Sequence, residues 1–209
     1  MRAAALVAGV VVLAAGWALA GAHAGLAGHM AAHMAAVAVA APLVAAGIAG
    51  TEFDPATRWP RAVAPLQMSL VELVVVWGWH IPAARHFAAS SAAGLVLEQA
   101  MFFAAGLLLW SACLGTLDAP NSARRAAGIG ALLLTTMHMT LLGALVALAP
   151  RTLFGTTGSS FFALELSPLH DQQIGGVVML FVGAGSYLFG GLLLLARMLR
   201  GERRRAALR

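Results

Sequence analysis

The sequence predicts an all-α integral membrane protein: a bundle of about six transmembrane helices with the N- and C-termini cytoplasmic. Three observations carry this. The 209 residues are 61% hydrophobic and 10% charged, with a mean hydropathy of +0.86, well above the range of soluble domains. The apolar residues gather into stretches of about twenty, long enough to cross a hydrocarbon core of about 30 Å. The positive charge is all arginine, and eleven of the thirteen arginines fall with the N-terminus, the Arg58/Arg61 and Arg124/Arg125 loops and the C-terminal end from Arg197 on. Only Arg85 and Arg151 lie opposite, an asymmetry that puts both termini in the cytoplasm.

The first expected span, 3–22, follows Arg2. A retained helix is the preferred reading; the rival is a signal peptide, with Arg2 as its n-region and Ala22-His23-Ala24 as a cleavage site. The second, 28–50, is GHMAAHMAAVAVAAPLVAAGIAG, with Pro42 expected to kink its inner half. After the charged, proline-bearing loop from Thr51 to Arg61, a third span at 62–82 carries Gln67, Glu72 and, at its far end, Trp77, Trp79 and His80. The fourth, 92–114, holds Glu98, Gln99 and Met101. The fifth, 126–149, holds Met137, His138 and Met139. Arg151 to His170 is too polar to span and is expected on the surface. The sixth, 171–197, opens with Asp171, Gln172 and Gln173, and its Gly176, Gly183 and Gly190 recur every seventh residue, a spacing suited to close helix packing. Residues 198–209 form a basic tail suited to anionic lipid, the whole making one membrane domain.

This composition excludes several classes. The net charge of +5 is not spread over a foldable soluble face, which argues against nucleic-acid binding. The single cysteine, Cys113, cannot form an intrachain disulfide and lies in an apolar run, as a core residue does.

The polar residues inside the spans are more telling, because such groups are costly in lipid and usually functional. In the second span His29 stands one helical turn from His33, and Met30 one turn from Met34. Imidazole with thioether is a ligand set that favours Cu(I). With the expected orientation, five spans bring polar residues to one outer level. They suggest a cavity lined by His29, Met30, His33, Met34, His80, Met137, His138 and Met139, with Glu98 and Asp171 at its rim or supporting the ligands from behind. Glu72 is expected to be a buried protonated acid bonded to Gln67 or a neighbouring helix, and His23 and His86 to be solvated.

These segments resemble a known family. GHMAAHMAAVAVAAPLVAAG is similar to the HM-x-x-HM/L signature of the multispan CtaG proteins, copper-handling assembly factors of bacterial cytochrome c oxidases. WGWHIPAA, LEQAMFFAAGLLLW and DQQIGGVVML resemble that family's following segments, so the likeness runs from Gly28 to about Arg197. The resemblance implies a multi-pass protein of the bacterial cytoplasmic membrane that helps insert copper into a haem-copper oxidase. It implies His29, Met30, His33 and Met34 as metal residues, with His80, His138 and Asp171 as further candidates.

The leading functional expectation is therefore a non-catalytic Cu(I) metallochaperone. Its partners would be an oxidase subunit, a periplasmic copper chaperone and the lipid bilayer. Two alternatives stand beside it: a redox protein binding haem b between histidines such as His33 and His138, and a copper or proton-coupled transporter with Glu72 on its path.

Overall fold

The structure, a computed structural model, describes residues 1–22, 25–116, 122–154, 159–161 and 164–207. Helix α1 covers Arg2–Gly21 and α2 covers Gly25–Ile48, with a π-helical segment at Ala35–Ala40. Short α3, Pro55–Arg58, precedes α4, Pro65–Trp79, and α5, Pro82–Ser90. Helices α6, Ala92–Leu114, and α7, Ser122–Ala147, follow. Strands β1, Ser159–Phe161, and β2, Leu164–Leu166, pair antiparallel with Ser160 opposite Glu165. The last helix, α8, starts as Pro168–Val178, passes a second π segment at Met179–Ala184 and continues as Gly185–Ala207. His23 lies outside the described residues.

Among the described residues five helices, α1, α2, α6, α7 and the Pro168–Gly201 part of α8, are long and apolar enough to cross a membrane. The span expected at 62–82 differs. Helix α4 has 15 residues, about 22 Å of rise, short of the hydrocarbon thickness. It reaches spanning length only together with α5, across a bend of 73°. Pro82 causes the break: a residue before proline is pushed out of the helical region, and Ile81 adopts φ −70°, ψ 134°. Proline is then well placed in the first turn of the new helix. Helix α8 runs on to Ala207, into the residues expected as the basic tail.

The packing is built on side chains that are missing. Helix α1 lies antiparallel on α2: Gly9 faces Val44 and Ala40, Gly16 faces Ala32 and Ala35, and Gly47 of α2 meets Leu6. Its Val7, Val10 and Val11 point outward, as lipid-facing residues do. Helix α2 is central, touching α1, α6 and α8, while α4 packs on α6 and α7. The seven-residue glycine series of α8 makes three different contacts. Gly176 meets the Ala147 backbone, Gly183 meets Met34 and Met139, and Gly190 meets the ring of Trp110.

Pro42 leaves its mark as the π segment just before it. It has no N–H to give the carbonyl four residues earlier, and that carbonyl, on Ala38, instead accepts from Ser186 Oγ at 2.6 Å. The Tyr187 hydroxyl lies 3.3 Å from the Val37 carbonyl and bonds Glu72. Glu72, fully buried, is thus partnered by a neighbouring helix, not by Gln67. His86 is exposed and Cys113 is buried and free.

Candidate metal centre

The site begins with how α2 is started. The first amides of a helix lack intrahelical acceptors, and its N-terminus favours negative charge. Asp171, from α8, supplies both needs: Oδ2 accepts from Leu26 N–H at 2.7 Å and Oδ1 from Ala27 N–H at 2.9 Å. Gly175, one turn further along α8, has no side chain, so Met30 lies directly against its backbone. The first turns of α2, with His29, Met30, His33 and Met34 all buried, are thereby held in place.

His29 and His33 project toward Glu98 of α6, which is fully buried. His29 Nε2 lies 3.1 Å from either carboxylate oxygen, and His33 Nε2 lies 3.5 Å from Oε1. The ligand atoms of the three residues fall within 4.8 Å of one another. Arg85, on α5, reaches to 4.0 Å from Oε2. A buried carboxylate needs such positive or hydrogen-bonding neighbours, since burying one alone is prohibitive.

His80 caps the end of α4 and turns toward the same region. Its Nδ1 lies 2.6 Å from the Val76 carbonyl. A carbonyl can only accept, so Nδ1 carries the hydrogen and a neutral ring leaves Nε2 as a bare lone pair. That lone pair faces Met30 Sδ at 3.4 Å. Two electron-pair donors therefore point at each other.

Phe102 supports both rings, stacked on His33 with centroids 3.9 Å apart and edge-on to His80 at 6.2 Å. Neither ring nitrogen of His33 has a hydrogen-bond partner. Phe154, from the connection after α7, adds an edge contact to His80 at 6.4 Å. That connection is tied down by Gln172, whose Oε1 accepts from Leu153 N–H at 2.6 Å and whose Nε2 donates to the Val146 and Arg151 carbonyls at 3.3 Å.

The structure brings together four of the expected site residues: His29, Met30, His33 and His80. Met34 sits deeper, with Met139, on Gly183. His138 is buried with neither ring nitrogen bonded, outside the His29/His33/Glu98 group. Asp171 has both oxygens committed to backbone amides. Met137 does not line a cavity: it is 69% exposed, because consecutive helical residues point about 100° apart and three in a row cannot share one face. Glu98, expected at the rim, is the hub. Its depth was readable from chain position, but its direction around α6 was not. The signal that could have found it is Phe102, four residues on and so on the same helix face.

A multi-pass helical bundle that closes around a buried cluster of histidine, methionine and carboxylate near one end defines the class. The chain belongs to the family described as cytochrome c oxidase caa3 assembly factor (Caa3_CtaG), which residues 1–201 match. The protein is thus an assembly factor of the membrane, with a cytochrome c oxidase as its partner. No curated protein and no solved structure matches the chain.

Proposed function

We propose that the protein is a non-catalytic Cu(I) carrier that receives copper on the periplasmic side of the bacterial cytoplasmic membrane. From there it passes the ion to the haem-copper centre of an oxidase under assembly. The observation that carries this is the unprotonated His80 Nε2 facing Met30 Sδ at 3.4 Å. Donors sharing one ion at roughly 2.0–2.3 Å stand about this far apart. Neutral imidazole and thioether suit Cu(I) and need lose no proton to bind it.

In this reading Met30 and His80 hold the ion, His29 and His33 adjoin it, and Met34 offers the next soft donor inward. Asp171 acts by positioning α2. The arginine asymmetry supports a cluster near the periplasmic face, where a copper chaperone would load it. Delivery is ligand exchange, so no bond in a substrate need be broken.

The test is Cu(I) retention by protein purified under reducing conditions. The Met30→Leu/His80→Ala variant, folded by circular dichroism, is expected to lose its copper. Wild-type copper content in that variant overturns the assignment.

A further inference from the structure

We propose that His29, His33 and Glu98 form a second subsite, beside the Met30/His80 pair, for a divalent cation of the zinc or copper(II) class. It rests on the reading above for metal being the cargo, but not on Cu(I) binding at Met30 and His80.

The argument starts from the pitch of α2. His29 and Met30 are adjacent in sequence and so project about 100° apart. One meets Glu98 and the other meets His80, which sorts the donors by chemistry. The first set is two imidazoles and a carboxylate, with no sulfur. Such nitrogen and oxygen donors suit borderline divalent ions, whereas thioether suits Cu(I). The Nε2–O separations of 3.1 and 3.5 Å are those of donors around an ion bound at about 2.1 Å. The ligand atoms of His80 fall outside that 4.8 Å group, and the rings of His33 and His80 stand 6.1 Å apart.

The unpartnered groups point the same way. His33 is 1% exposed with neither nitrogen hydrogen-bonded, and Glu98 Oε2, at zero exposure, has no hydrogen bond. His29 Nε2, bonded to Oε1, stands 3.1 Å from it, and Arg85 Nη1 stands at 4.0 Å, beyond hydrogen-bonding distance. A divalent ion between the imidazoles and the carboxylate takes one nitrogen of each ring and gives Glu98 Oε2 a partner. Arg85 is then a competitor for Glu98, and an entering cation displaces its charge.

The experiment uses the full chain in detergent, stripped with chelator and titrated separately with Zn(II) and with buffered Cu(I) under reducing conditions. Wild type is expected to take up both. Glu98→Gln should weaken Zn(II) binding roughly tenfold or more and leave Cu(I) uptake unchanged. Met30→Leu/His80→Ala should do the reverse. Arg85→Gln keeps every ligand and removes the competitor, so it should bind Zn(II) more tightly; weaker binding in that variant overturns the proposal even if Glu98→Gln proves unstable. Wild-type Zn(II) affinity in Glu98→Gln, or no Zn(II) uptake by wild type, also overturns it. Zn(II) uptake without Cu(I) uptake defeats the reading above while this one stands.

Discussion

At His80 the protein has selected one tautomer of a single ring. The Val76 carbonyl takes the Nδ1 hydrogen, and the other nitrogen is left facing sulfur. Asp54 shows the same economy outside the membrane. Its carboxylate caps α3 through Ala56 N–H, accepts from Gly50 N–H and Thr57 Oγ1, and bonds Ser111 Oγ of α6. Burial pushes its pKa up, but these hydrogen bonds outweigh that and hold it below the usual carboxylate value. Because the folded state favours the ionised form, Asp54 contributes stability above the unfolded pKa of about 3.9. That contribution is lost as pH falls through the lower folded value. Asp54→Asn should therefore flatten the acid limb of a melting-temperature profile against pH; an unchanged limb would count against this account. At neutral pH it should also cost about 1–3 kcal/mol, from a buried acceptor lost to four donors. The role of Asp54 was not legible in the sequence, where it reads as one charge in a polar loop. Ser111, its partner 57 positions away, is invisible without the packing of α3 on α6. The histidine pairs were legible because a four-residue spacing is itself a statement about geometry.

The elements show where sequence reading holds and where it stops. Helix α6 occupies the expected range, since its apolar run is flanked by Ser91, which caps its start through Gly94 N–H, and by Gly115 at its end. The third span, expected over 62–82, is helical only from Pro65 to Trp79 and reaches spanning length with α5 across the bend at Pro82. The start of α2 is a case where one side chain governs a whole element. Asp171→Ala leaves the Leu26 and Ala27 amides without acceptors, at a cost of about 1 kcal/mol. The first turn, which carries His29 and Met30, should then loosen. The expected outcome is faster hydrogen exchange at residues 26–30 and lower copper retention with every proposed donor intact. Asp171→Asn, which keeps an acceptor oxygen, should lie between the two. Retention equal to wild type in Asp171→Ala would separate the cap from the site.

Across the whole molecule the bundle is set by backbone contact at glycine. Gly176 of α8 lies on the Ala147 backbone and Gly190 on the Trp110 ring, which itself stacks on Tyr187 at 5.5 Å. A side chain at either position must force helices apart, since backbone and a packed indole cannot yield cheaply. Gly176→Leu should lower thermal stability and detach the α7–α8 seam that holds Gln172 and the connection over His80. Gly21→Ala, with open space around it, should leave the melting temperature unchanged and serves as the control. Equal melting of Gly176→Leu and wild type would refute this account of the seam.

The paired π segments of α2 and α8 carry one more consequence. A π bulge amounts to an extra residue accommodated within an otherwise regular coil. Excising one alanine from Ala35–Ala40 would let the coil close normally with both halves in phase, whereas rewinding all six residues as regular α-helix would rotate everything beyond them by about 100°. The half carrying the imidazoles and the half anchored by Ser186 and Tyr187 would then no longer face their partners together. The phase between the metal-facing and core-facing halves of the central rod is thus stored in a single added peptide unit.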